Sequence, residues 1–294
     1  MKEVALFRKL QAYSELVVLP HSVFALPFAL ASLLVATEGR PSLRLLALVV
    51  AAMVLARTAA MAYNRFLDAL LDARNPRTQD RPIQTGKVRR WEALAITVLC
   101  AIAFIGVCSF INPLAHRLSP VALFVLFFYS HTKRFTWASH LFLGLALGIA
   151  PVGAWVAATG ELAALPFWLL GAVVCFLAGF DILYATWDEE FDRREHLQSW
   201  VTRWGLKNSL MASRIFHFLM IGFLAGFGAH AGLSGLYFIG VAILGAILAA
   251  QHRGLYRLER LAAPGAFRVS GGLFKWNGWV AVLYLLVVGV ALWT

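Results

Sequence analysis

At 294 residues, 61% hydrophobic and only 14% charged, the chain is too apolar for a water-soluble globule and reads as an all-α, polytopic membrane protein. Its net charge of +11 sits mainly in alternate loops, so it reports topology rather than nucleic-acid binding. Cys100, Cys108 and Cys175 lie in apolar runs without a CxxC pair, and the eight histidines form no HExxH, which argues against disulfides and zinc.

A membrane-crossing helix needs about 20 apolar residues, and nine stretches approach that length: 17–36, 44–65, 92–111, 117–131, 138–158, 164–186, 208–229, 233–251 and 275–293. The expectation is nine transmembrane helices bundled around a cytoplasm-facing cavity. They form a single domain over residues 1–294, built of two four-helix units, about 17–131 and 138–251, and a final helix at 275–293. Lys and Arg crowd the N-terminus, 65–90, Lys133-Arg134, 193–207 and 253–275, while the intervening loops hold only Arg40, Arg44 and Arg117. The positive-inside rule then makes the N-terminus and the acidic stretches below cytoplasmic, in a multi-pass protein of the cell inner membrane.

Residues 1–16 form an amphipathic lead-in expected at the interface. Pro20 and Pro27 in the first span predict a kink, and His21, His131 and His140 at span ends read as interfacial or satisfied polar residues. In the second span Arg57 is expensive in lipid and should face the bundle interior. It lies two turns before Asn64, about 10 Å deeper by helical rise, and is either a seat for an anionic substrate group or the partner of an acid on a facing helix.

Residues 64–87 carry the chemistry. On one helix, Asn64, Asp68 and Asp72 fall at i, i+4 and i+8 and share a face, which suggests a divalent metal. The helix should end near Asn75-Pro76, and Arg77 and Arg81 in the following loop suit bidentate phosphate contacts. Asp188 and Asp192 repeat the four-residue step 120 residues further on (188 − 68). Two acidic pairs in register suggest one shared site. Asp181 and Tyr184 are expected on the same helical face as Asp188 and Asp192, with Glu189 and Glu190 off it, solvated or paired with Arg193 and Arg194. Tyr129 and Lys133, one turn apart, point to the same side of the membrane. Gly144, Gly148 and Gly153 form a small-residue packing pattern, and 253–268 suggests an interfacial helix through Leu255, Leu258 and Leu261.

Carboxylate pairs surrounded by Arg and Lys describe a magnesium and pyrophosphate site at a membrane face, which suits a polyprenyl diphosphate. A secondary transporter with an intramembrane acidic site is the alternative, but it would hold its charges near the midplane.

The same residues carry a resemblance. NRFLDALLD, DILYATWDEEFD and YSHTK resemble the NDxxDxxxD, DxxYxxxDxxxD and YxxxK elements of the UbiA superfamily of intramembrane prenyltransferases. HSVFALPFAL and NRxxDxxxDxxNPRTxxRxxxxG are similar to its bacterial branch of 4-hydroxybenzoate polyprenyltransferases, some of whose members belong to menaquinone synthesis through futalosine. The resemblance implies an enzyme of quinone biosynthesis, an aromatic prenyltransferase that moves a polyprenyl group from its diphosphate to an aromatic acid, 4-hydroxybenzoate or a dihydroxynaphthoate. It implies that Asp68, Asp72, Asp188 and Asp192, assisted by Asn64, hold two Mg2+ ions. Arg81, Tyr129 and Lys133 would contact the diphosphate, with Arg77 added on proximity. Arg57, Asp181 and Tyr184 would border the reacting ring. The expected partners are the two substrates and membrane lipid, with no obligate protein partner and no nucleic acid. One departure stands out: Arg65 occupies the position where the commonest motif has Asp, which removes one possible metal oxygen.

Overall fold

The structure, a computed structural model, describes residues 2–17, 24–261 and 272–294. Among these residues it contains twelve helices and no strand: α1 (Lys2–Val17), α2 (Leu26–Ala36), α3 (Leu43–Leu67), α4 (Ala69–Arg74), α5 (Arg90–Ile111), α6 (Pro113–Thr132), α7 (Ser139–Thr159), α8 (Leu165–Ala185), α9 (Glu189–Arg194), α10 (Trp200–His230), α11 (Gly235–Leu261) and α12 (Gly272–Ala291). Seven of them, α3, α5, α6, α7, α8, α10 and α11, are long and apolar enough to cross a membrane. Exposed Leu99, Ile102, Phe124, Phe218 and Ile239 are what a lipid solvent requires of a helix surface.

Seven of the nine expected spans reach spanning length among the described residues, and the first and last are described there as the shorter apolar helices Leu26–Ala36 and Asn277–Ala291. Pro27 stands in the first turn of α2, where a missing N–H costs nothing, so it starts a helix instead of kinking one. Pro20 and His21 lie outside the described residues. Helix α10 is two helical segments joined at Gly205 (φ 74, ψ 175), a conformation that only glycine adopts without strain, and the segment beyond it begins close to the expected start of the seventh span at 208. Residues 253–261 continue α11, with Leu255 buried against Leu183 and Leu210, so the helix expected over 253–268 is not separate there. Residues 262–268 are outside the described residues.

The chain divides into two compact units, one of Met1–Ser22 and Leu43–Ser130, the other of Val23–Ser42 and His131–Thr294. In the first, α3 packs along α5 and α1 docks on α3. Ala12, Leu16 and Val17 of α1 are buried with Val88 and Ala93, and Lys9 donates to Glu92 at 2.8 Å. From Ala12 to Val17 the lead-in is thus docked on protein.

In the second unit α8 lies between α7 and α10, α2 rests on α7 and α12, and α12 on α11. The core is built from Phe28, Phe176, Met220, Tyr237 and Tyr284, and the Tyr237 hydroxyl donates to the Leu224 carbonyl at 2.8 Å, which satisfies its polar end. The expected close packing is present at Gly144, where an added Cβ would stand 2.7 Å from the Val174 carbonyl oxygen, and at Gly148, 3.1 Å from the Leu170 carbonyl oxygen, but not at Gly153, where nothing lies within 4 Å. Lipid removes most of the hydrophobic drive between helices, so such close approach is what binds α7 to α8.

Candidate active site

In the first unit the expectation of one continuous helix through Asn64, Asp68 and Asp72 is corrected. Helix α3 stops at Leu67 and α4 starts at Ala69, because Asp68 sits at φ −90, ψ 6, a bridge conformation in which a short polar side chain competes well with the helix. The ladder survives the bend: the Asp68 N–H donates to the Asn64 carbonyl at 2.9 Å and the Asp72 N–H to the Asp68 carbonyl at 2.8 Å. The Asn64 amide donates to Asp68 Oδ2 at 3.2 Å and to Ser130 Oγ at 3.3 Å. Asp68 and Asp72 are only 2% and 7% exposed, a burial that a carboxylate tolerates only with partners.

Those partners come from the loop. Asn75 is extended ahead of Pro76, as a residue before proline prefers, which ends α4 where the sequence predicts. The loop then folds back through the Thr78 hydroxyl on the Asp72 carbonyl at 2.9 Å and the Gln84 amide on the Ala69 carbonyl at 2.9 Å. This brings Arg81 Nη1 to Asp72 Oδ2 at 2.6 Å. Arg65, the residue that departs from the commonest motif, has its Nη1 3.9 Å from the same oxygen. Asp72 therefore sits between two guanidiniums. Arg77 is exposed, and its backbone N–H donates to Asn75 Oδ1 at 2.9 Å.

Arg57 makes no ion pair among the described residues, and its buried Nε has no hydrogen-bond partner. The alternative of a facing acid is not realised there. Tyr129 lies within electrostatic range of Arg57, Arg65 and Asp68 and hydrogen-bonds Ser130. Asn64, Asp68, Asp72, Arg81, Arg57 and Tyr129 are thus gathered in one unit.

The second unit repeats the device. Helix α8 stops at Ala185, Asp188 sits at φ −101, ψ 3, and α9 follows. The Asp192 N–H donates to the Asp188 carbonyl at 2.7 Å. Asp181, Tyr184, Asp188 and Asp192 consequently do not share one helical face, because the helix ends between the second and third of them. Each aspartate pair instead straddles a bend that opens a six-residue helix.

Asp181 Oδ2 accepts from His140 Nδ1 at 2.7 Å, and His140 Nε2 accepts from the Trp200 backbone N–H at 3.2 Å. Because Nε2 accepts a hydrogen bond from an amide N–H, the ring proton is on Nδ1. Tyr184 packs between Phe180 and Trp187, with ring centroids 4.7 and 5.0 Å away. Lys133 stands just beyond α6 rather than on it, with its carbonyl accepting from the Gln198 N–H at 2.8 Å. Asp192 is pushed up to about 6, first by burial and then by the charge of Asp188, against Lys133, a Ser199 hydrogen bond and His140. Glu189 and Glu190 pair with Arg193 and Arg194 at 3.0 and 3.2 Å, as expected.

Ser130 and Ser199 are participants that sequence reasoning passed over, and His140, expected as an interfacial or satisfied polar residue, is hydrogen-bonded at both ring nitrogens. The sole signal for His140 is a histidine at the start of an apolar span, and Ser130 has none beyond adjacency to Tyr129.

Among the described residues no cluster of three or more His, Cys, Asp or Glu could hold a metal by itself. The donors present are carboxylate and amide oxygens, which suits a hard cation. Magnesium ordinarily takes one or two carboxylates and completes its shell with water and substrate phosphate, and a pair of aspartates at each bend fits that habit better than a zinc cage.

Comparison with known proteins agrees in fold and sequence. The model of the UbiA prenyltransferase family matches residues 25–279. The chain is 31% identical over 277 residues to the 4-hydroxybenzoate octaprenyltransferase of Paraburkholderia xenovorans, covering 92% of this chain and 96% of that one. It is 31% identical over 262 residues to the enzyme of the same name from Marinobacter nauticus, covering 89% and 86%. The structure of a UbiA homolog from Aeropyrum pernix K1 superposes with a TM-score of 0.81 at 30% identity, over 92% of this chain and 98% of that one. A UbiA homolog from Archaeoglobus fulgidus bound to DMAPP and Mg2+ shares the fold, with a TM-score of 0.73 at 18% identity, over 95% and 98%.

Proposed function

This chain belongs to the UbiA prenyltransferase family, and we propose that it transfers a polyprenyl group from polyprenyl diphosphate to an aromatic acid, 4-hydroxybenzoate or a dihydroxynaphthoate, in quinone biosynthesis. It is a multi-pass membrane protein and a prenyltransferase, which sets the carrier reading aside. The proposed setting is the inner membrane with the site facing the cytoplasm.

The observation that carries the reading is the repeated aspartate bend, Asp68 with Asp72 and Asp188 with Asp192, each backed by cations. We assign Mg2+ to these four carboxylates with Asn64 assisting, two ions in all. Bound there, Mg2+ would neutralise charge on the diphosphate. A UbiA homolog of the same fold is bound to DMAPP and Mg2+, which supports the use of a divalent metal with a prenyl diphosphate. Arg81, Tyr129 and Lys133 supply positive charge and hydrogen bonds to the departing diphosphate, which stabilise the negative charge as the allylic C–O bond ionises. Arg77 is retained as an outer contact. Arg57, with an unpartnered buried Nε, takes the acceptor carboxylate, while the Tyr184 ring and the Asp181 carboxylate border the ring that attacks the carbocation ortho to its hydroxyl. Loss of the ring proton completes the transfer.

The test is incubation of membranes containing the protein with Mg2+, geranyl diphosphate and a panel of aromatic acids, with products identified by mass. A prenylated acid that requires Mg2+ supports the reading. No product from any acid, or the same yield after chelation, overturns it.

A further inference from the structure

Away from the aspartate bends, α10 and α11 enclose a groove of about 550 Å3 whose two ends differ in chemistry. Arg214, His217, His252, Arg253 and Tyr256 line one end, whereas Phe218, Ile221, Ala242, Gly245 and Ala249 line the other. The helices run so that Gly245 meets Ile221, with a Cβ on Gly245 falling 3.6 Å from the Ile221 side chain. This sets the polar residues on the N-terminal side of the α10 lining and the C-terminal side of the α11 lining. The lining of α11 from Ala242 to Tyr256 is about 21 Å long by helical rise, more than the roughly 15 Å of hydrocarbon in one leaflet.

Arg214 lies within a membrane-spanning helix, where a cation is costly without a partner, yet among the described residues neither it nor Arg253 makes an ion pair and no acid lines the groove. The Arg214 guanidinium lies over the Tyr256 ring, 5.2 Å from its centroid, which fixes it at the mouth. His217 donates Nε2–H to the Phe176 carbonyl at 3.3 Å and so accepts at Nδ1 from His252 Nε2–H at 2.8 Å. That chain occupies three of the four ring nitrogens, so among the described residues His252 Nδ1 is the one left to a ligand.

From this we infer that the groove between α10 and α11 binds one anionic phospholipid of the adjacent leaflet, its phosphate held by Arg214 and Arg253 and one acyl chain lying over Ile221, Gly245 and Ala249. Guanidinium groups suit phosphate oxygens, and basic pockets between spanning helices on the positive side are where acidic headgroups collect. The apolar end selects a lipid over a free anion.

Native mass spectrometry of the full-length protein, titrated with phosphatidylglycerol or with phosphatidylcholine of the same chains, tests this. The expected result is one tightly held phosphatidylglycerol per chain, with phosphatidylcholine at least tenfold weaker and no displacement by millimolar inorganic phosphate. Arg214→Gln with Arg253→Gln removes the preference for the acidic headgroup, and Ala249→Phe, which fills the apolar end and keeps both charges, weakens phosphatidylglycerol at least tenfold. Prenyl transfer in phosphatidylcholine vesicles stays at the parent level in both. Equal affinity for the two lipids, or unchanged binding in the Arg variants, overturns the site. Displacement by phosphate together with no effect of Ala249→Phe overturns the lipid in favour of a free anion. Should the double variant fail to fold, Arg253→Gln alone, at an exposed position, must lower the selectivity, and an unchanged ratio is fatal.

Discussion

His140 Nδ1 donates to Asp181 Oδ2 at 2.7 Å while its Nε2 accepts from the N–H of Trp200 at 3.2 Å. A backbone amide at the start of α10 thereby sets the tautomer of a buried histidine, and the histidine sets the orientation of a carboxylate 41 residues away in sequence. His140 is a positioning residue: it acts on the ring chemistry only through Asp181.

His140→Ala should therefore lower kcat by roughly 10–100-fold, the range for loss of an orienting hydrogen bond, with KM for the prenyl diphosphate little changed. His140→Asn, whose amide can replace the Nδ1–H donor, should recover part of the rate. Steady-state kinetics at saturating Mg2+ read both, and parental turnover in His140→Ala removes the role.

Asp68→Ala and Asp188→Ala should each cost on the order of 10²–10³ in turnover, as loss of one charge-stabilising group does, while circular dichroism stays parental. Near-native Mg2+-dependent transfer in either variant means the metal is held elsewhere.

Arg81 and Arg77 separate by geometry. Arg81 is bonded to buried Asp72 at 2.6 Å, whereas the Arg77 side chain is exposed. Arg81→Ala should raise KM for the diphosphate and lower kcat together. Arg81→Lys should rescue little, since a point charge cannot reproduce the fork, and Arg77→Ala should cost less than either. Kinetics in which Arg77→Ala is the more damaging would reverse the assignment.

Asp192, raised from an ordinary value of 3.8 to about 6, makes the metal-free protein sensitive to pH. Because metal binding needs the carboxylate, Mg2+ affinity should be constant above about pH 7 and fall as pH drops through 6. The folded state holds this proton more tightly than the unfolded chain does, so the contribution of Asp192 to metal-free stability is greatest below pH 4. It declines as pH rises from 4 to 6. Lys133→Met removes a charge that lowers the value and should move the Mg2+ midpoint to higher pH. Calorimetric Mg2+ titrations between pH 5 and 8 check the sign.

Gly144→Ala places a methyl group 2.7 Å from the Val174 carbonyl oxygen and 2.9 Å from its Cα. Both are backbone atoms that cannot rotate away, so α7 and α8 must separate. The expected loss is about 1–3 kcal/mol, as for overpacking, read as a lowered Tm in detergent. Gly153→Ala, with nothing within 4 Å of its Cβ, should melt like the parent.

The sequence by itself determined the membrane class, the two aspartate pairs with their matching four-residue step, the end of the first acidic helix at Asn75-Pro76 and the close packing at Gly144. The first three are written in local composition or in spacing within one or two helical turns, and the last in a pattern of small residues along one helix. Tertiary structure decided the rest. It bent the chain at Asp68 and Asp188, brought Arg65 and Arg81 to the same oxygen of Asp72, and joined Asn64 to Ser130 and His140 to Asp181 and Trp200. Partners 41 to 66 residues apart in sequence leave no periodic trace. Which of them meet follows from how helices pack and where loops fold back, and that depends on all the side chains between them at once.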